Sequence, residues 1–193
     1  MNFRALGFAN KVTIGRILAV PFFILALLYY SPQREYLRYA ALAIFLVAVI
    51  SDVIDGYIAR TRKQKTRAGA ILDPLADKLL LISAFICLYT VDGLMGQVKF
   101  PLWLVLAVIS RDVILLLGAM IIHLVQGQLT IVPTRWGKAT TFFQIMSILG
   151  VLLQIESSYV FWAVAVVLTV ISGIGYIGKG IRVLNVPNDP HHS

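Results

Sequence analysis

This sequence is poor in charge. Of its 193 residues, 13% are Asp, Glu, Lys or Arg, against roughly 25% in a soluble domain. Acidic residues are scarcest, nine against seventeen Lys and Arg. The apolar share is 59%, where a soluble domain has roughly 45–50%, so an ordinary soluble fold is excluded. With one cysteine, Cys87, no intrachain disulfide can form, and its apolar neighbours make it a buried thiol. Neither an internal repeat nor a low-complexity segment is present, which leaves a single domain over 1–193. No small-residue cleavage site follows the first apolar run, so that run is expected to be a retained helix and not a cleaved signal. His191 and His192 are too few to argue a metal site. A net charge of +8 would suggest nucleic acid in a soluble protein. Here the basic residues stand beside apolar runs, which points to topology and anionic lipid contact and to no nucleic-acid partner.

Six apolar runs, each near the roughly 20 residues needed to cross a bilayer, are drawn at about 12–30, 37–58, 70–89, 101–124, 138–154 and 158–177. The fold class is therefore an all-α integral membrane protein of six transmembrane helices. Residues 1–10 add Phe3, Leu6 and Phe8 beside Arg4, a pattern suited to a short interfacial helix. Pro74 falls in the expected first turn of the third run, where a missing N–H costs little. Lys and Arg crowd one set of positions: Arg4, Lys11 and Arg16, then Arg60, Arg62, Lys63, Lys65 and Arg67 in one loop, then Lys78, Arg135, Lys138, Lys179 and Arg182. The opposite set holds only Arg34, Arg38 and Lys99. By the positive-inside rule both termini face the cytosol.

The stretch SDVIDGYIARTRKQKTRAGAILDPLADK, residues 51–78, puts four aspartates at the cytosolic ends of two runs. Carboxylates beside lipid are costly and mark function. Asp52 and Asp55 are i,i+3, and Asp73 and Asp77 are i,i+4, so each pair shares a helix face. Two such faces brought together repel unless cations lie between them, and oxygen-only ligation suits Mg²⁺ or Mn²⁺. Two such ions can clamp a diphosphate, and a carboxylate can take a proton from an attacking hydroxyl. Simple salt bridging of the aspartates to the basic loop is the competing account. Arg111 and Asp112 lie within the fourth run, where a mutual ion pair competes with a substrate role. For Lys138 and Arg182 the competitor is snorkelling at a helix end.

The stretch resembles the signature of the CDP-alcohol phosphatidyltransferase family, D-x2-D-G-x2-A-R-x8-G-x3-D-x3-D. Asp52, Asp55, Gly56, Ala59, Arg60, Gly69, Asp73 and Asp77 fill its fixed positions at matching spacing. The resemblance implies two divalent cations held by Asp52, Asp55, Asp73 and Asp77, with Asp77 also the general base. It implies contacts of Gly56, Arg60 and Thr66 with the CDP part of CDP-diacylglycerol, beside the small residues Ala59 and Gly69. The N-terminal NKVT, Asn10 to Thr13, resembles a stretch that borders the nucleotide. The implied reaction moves a phosphatidyl group to an alcohol and releases CMP, in a homodimer in a bacterial plasma membrane with the site facing the cytosol.

The run LDPLADK, with Gly137, Lys138, Thr141 and Gln144, resembles the subgroup that makes phosphatidylglycerol phosphate or cardiolipin. Glycerol 3-phosphate is the first expected acceptor, with Arg111, Lys138 and Arg182 as its cations. Phosphatidylglycerol is the second, because Asp112 after Arg111 is closer to the cardiolipin synthases. Two other classes fit less well. A divalent-cation transporter would more often show inverted repeats and broken helices. A membrane prenyltransferase would carry two Asp-rich motifs far apart in a longer bundle.

Overall fold

The computed structural model describes residues 8–62, 67–91, 100–126 and 135–184, with side chains over 12–54, 75–91, 100–118, 136–173 and at 175. All regular structure in this part is helical: α1 (Phe8–Leu28), α2 (Glu35–Arg62), α3 (Arg67–Thr90), α4 (Leu102–Gln126), α5 (Arg135–Leu152) and α6 (Ser158–Leu184). Six helices stand where six apolar runs were expected. Two boundaries differ in a telling way. Phe8–Asn10 form the first turn of α1, continuous with Lys11, while residues 1–7 of the expected interfacial helix lie outside the described residues. Helix α3 starts at Arg67, so Pro74 lies in its third turn and not its first. The apolar run begins only at Ala70, whereas helix geometry is set by backbone hydrogen bonds that Arg, Ala and Gly can all make.

Helix α1 packs on α2 and α3, α5 pairs with α6, and α4 bridges α3 and α6; α5 also touches α2 and α3. The core is apolar and aromatic. Phe23 of α1 meets Phe45 of α2 with ring centroids 5.9 Å apart, and Phe85 of α3 meets Phe100 at 5.1 Å. Leu27, Leu88, Leu104, Ile148 and Leu152 are fully enclosed around them.

The outside is as apolar as the inside. Leu18, Phe22 and Leu25 on α1, Val47 and Ile50 on α2, and Leu106 and Leu117 on α4 are all exposed. A water-soluble surface rarely carries so continuous an apolar area. Glu35–Ile54 is long and apolar enough to cross a membrane, and Val12–Leu28 and Ser158–Gly173 are shorter apolar helical stretches.

The end of the bundle formed by the α1–α2 and α5–α6 turns is closed by specific contacts. Arg38, buried on α2, donates from Nη1 to the Leu152 carbonyl at 2.7 Å and from Nη2 to Glu35 at 3.2 Å. That cation caps the C-terminus of α5, where free carbonyls and the helix dipole favour it. The chain then reverses: Ile155 N–H donates to Gly150 O at 2.8 Å and Gln154 N–H to Val151 O at 2.9 Å. This is a Schellman turn with Gln154 in the left-handed region, φ 56°.

Candidate functional site

A cluster of charged side chains stands at the opposite end of the bundle. Asp52 lies on α2 about 21 Å along the helix from Arg38, fourteen residues at 1.5 Å each. Asp77 lies on α3. Both carboxylates converge on Arg16 of α1, whose Nη1 is 2.9 Å from Asp52 Oδ1 and also pairs with Asp77 Oδ1. The guanidinium is buried, with its side chain 3% exposed, while the Asp52 and Asp77 side chains are 42% and 35% exposed. Three helices therefore bring two carboxylates and one cation to a single point that opens outward. Thr13, one turn before Arg16 on α1, is buried beside this region.

Two carboxylate oxygens from different helices within reach of one nitrogen make a place for positive charge. The donor set fits a hard divalent cation, which takes oxygen ligands and tolerates carboxylates from separate elements. Asp55 lies one turn beyond Asp52 on α2, and Asp73 one turn before Asp77 on α3. Their side chains lie outside the described ones, and among the described residues no three His, Cys, Asp or Glu gather in one group. Asn10 is in α1, Gly56, Ala59 and Arg60 in the last turns of α2, Gly69 in the first turn of α3, and Arg182 in the last turn of α6. Their side chains are likewise not described, and Thr66 lies outside the described residues.

A second charged cluster lies largely buried where α3, α4 and α6 meet. Arg111 Nη1 donates to Asp112 Oδ1 at 2.6 Å, and Arg111 Nη2 donates to Ser172 Oγ at 2.8 Å. Lys78 Nζ lies 2.9 Å from the same Asp112 oxygen. Asp112 is wholly buried and Arg111 is 7% exposed. The expected mutual ion pair of Arg111 and Asp112 is present. It is wider than expected, because Lys78 joins from another helix. Two basic side chains thus share one carboxylate. Lys78 directly follows Asp77, which ties the cluster to the carboxylate site. Lys138 is exposed in the first turn of α5.

Sequence reasoning passed over two of these residues. Both counted toward charge sidedness, and Lys78 also as part of a subgroup run, but neither was given a partner. Each is a charge inside an apolar run, and such charges pair with one another; that was the available signal. It does not name the partner, which in both cases is on a different helix.

The family model for CDP-alcohol phosphatidyltransferase matches residues 6–171. A protein of Mycobacterium tuberculosis named "Probable phosphatidylglycerophosphate synthase" is 34% identical over 185 residues, covering 93% of this chain and 84% of that protein. The CDP-diacylglycerol–glycerol-3-phosphate 3-phosphatidyltransferase of Bacillus subtilis is 32% identical, covering 93% and 97%. The Haemophilus influenzae protein of the same name is 30% identical, covering 91% and 95%.

Proposed function

This chain belongs to the CDP-alcohol phosphatidyltransferase family, and we propose that it transfers the phosphatidyl group of CDP-diacylglycerol to glycerol 3-phosphate. The products are phosphatidylglycerol phosphate and CMP. The carrying observation is the meeting of Asp52 and Asp77 from separate helices at one point. Relatives named for this reaction match over nearly the whole chain, which supports the same acceptor here.

Asp52, Asp55, Asp73 and Asp77 would hold two divalent cations, Mg²⁺ or Mn²⁺. Bound there, the ions would neutralise the diphosphate and stabilise the leaving CMP. The chain's own groups do the rest. Asp77 takes the proton of the acceptor hydroxyl. The hydroxyl oxygen then attacks the phosphorus that carries diacylglycerol, and the bond from that phosphorus to the bridging diphosphate oxygen breaks. Positioning and charge supply most of the rate in such a transfer. Gly56, Ala59, Arg60, Thr66 and Gly69, with Asn10 and Thr13, border the CDP group. Arg111, Lys138 and Arg182 are the cations proposed for the acceptor phosphate. The pairing of two basic side chains, Lys78 and Arg111, with the single carboxylate of Asp112 supports a compact anion as acceptor.

The six helices would span a bacterial plasma membrane as a homodimer with this end in the cytosol. The exposed apolar side chains of α1, α2 and α4 support that placement. Purified protein given CDP-dioleoylglycerol and glycerol 3-phosphate should form phosphatidylglycerol phosphate and CMP. Chelation should abolish turnover, and Mg²⁺ or Mn²⁺ should restore it. Full activity in excess chelator removes the two-metal mechanism. Cardiolipin formed from phosphatidylglycerol, with glycerol 3-phosphate ignored, removes the acceptor.

A further inference from the structure

Helices α1 and α2 touch closely through Phe23 and Phe45, yet leave a cleft of about 550 Å³ along one side. Its walls run from Val12 to Phe22 on α1 and from Ala43 to Ser51 on α2. We infer that this cleft seats one acyl chain of the CDP-diacylglycerol donor. The inference rests on the transferase reading and adds where the lipid's tail lies.

Four observations carry it. The walls are apolar except at one end, where Arg16 and Ser51 line the cleft. That end is continuous with the carboxylate site: Arg16 pairs with Asp52 and Asp77, and Asp52 is the residue after Ser51. A molecule with its diphosphate at the site and an apolar tail matches this change of polarity in the right direction. The length also fits. Ten residues from Val12 to Phe22 span about 15 Å at 1.5 Å each, half of a hydrocarbon core roughly 30 Å thick. The cleft is thus about one leaflet deep, the depth of a chain from a lipid whose headgroup is at that surface. Finally, small residues hold it open. A Cβ added at Gly15 would meet nothing within 4 Å, and Ala19, Ala43 and Ala48 leave the space between the walls unfilled, whereas Phe22 and Val47 at the rim are 64% and 65% exposed. An unfilled apolar cleft forfeits dispersion contacts along its whole lining, and a bound acyl chain restores them.

The test uses donors of different chain length on the full-length protein. Ala43 lies at the end of the cleft away from the site, nine residues and about 14 Å from Asp52. Ala43→Trp should raise the KM for CDP-dioleoylglycerol at least about fivefold, since several buried methylenes lose their seat. Its kcat, and its KM for CDP-dihexanoylglycerol, should stay at wild-type values. Gly15→Leu, nearer the site, should raise the KM for both donors with kcat retained. Equal KM changes for long and short donors in Ala43→Trp would overturn the assignment, as would no change in either variant. A changed oligomeric state without chain-length discrimination would also overturn it and give the cleft to a second copy. If the wild type releases no CMP from either donor, the transferase reading itself falls. A wild type that turns over both donors while the variants do not discriminate defeats the cleft alone.

Discussion

Arg16 keeps Asp52 and Asp77 from facing each other bare. Two carboxylates this close repel, and a guanidinium between them removes that cost without needing water. Each carboxylate is more than a third exposed, so the contribution is far below the about 3–5 kcal/mol of a fully buried broken pair and nearer about 1 kcal/mol. Arg16→Gln should therefore lower the thermal midpoint of the chelated protein by about 2–4 °C, the shift expected per kcal/mol at this size. Adding Mg²⁺ should restore most of the loss, because a divalent cation can take the same oxygens. In the wild type Mg²⁺ should raise the midpoint less. Thermal unfolding in detergent, with chelator and with Mg²⁺, measures both. A variant as stable as wild type in chelator, or one that Mg²⁺ does not rescue, contradicts the account. At this scale the sequence was readable only where contacts are local. The adjacent Arg111 and Asp112 could be read directly. Arg16 reaches Asp77 across 61 residues, and Lys78 reaches Asp112 across a loop between helices. No spacing rule encodes either contact; helix packing decides them.

At the scale of the element, the reversal between α5 and α6 depends on one absent side chain. A Cβ built on Gly150 would lie 2.9 Å from the Cβ of Ser158, whose residue is fully buried at the start of α6. Both atoms belong to short, stiff groups fixed by the Schellman turn, so neither can rotate away. Gly150→Ala should cost about 1–3 kcal/mol by overpacking and lower the thermal midpoint by several degrees, about 2–4 °C per kcal/mol. The residual activity at low temperature should be unchanged, since this turn is at the end of the bundle away from Arg16. An alanine variant that unfolds with the wild type would show that the helices separate freely there. The helices themselves were legible because each is a long apolar run bounded by polar turns. Their ends were less so. Helix α2 runs on to Arg62 and α6 to Leu184, past the apolar stretches, because Arg and Lys continue a helix about as readily as Leu does.

For the whole molecule, the two ends of the bundle carry different charged groups, and this fixes what orientation must mean. The α1–α2 and α5–α6 turns define one end, with Gln33 and Glu156 exposed in them. Lys138, exposed in the first turn of α5, belongs to the other end, with the aspartates. If all six helices cross the bilayer, positions within an end must share a side, and positions at different ends cannot. The basic residues favour the aspartate end in the cytosol, where a soluble acceptor can arrive and CMP can leave. Single cysteines at Gln33, Glu156 and Lys138, in a Cys87→Ala background, separate these cases with a membrane-impermeant thiol reagent. In intact cells Gln33→Cys and Glu156→Cys should label, and Lys138→Cys should label only after the membrane is opened. Labelling of Lys138→Cys and Gln33→Cys from the same side would break the six-span arrangement. Labelling of Lys138→Cys alone in intact cells would keep the spans and invert them, leaving the carboxylates on the side away from cytosolic substrates. Either result would remove the physical reason for an aqueous dianion as acceptor.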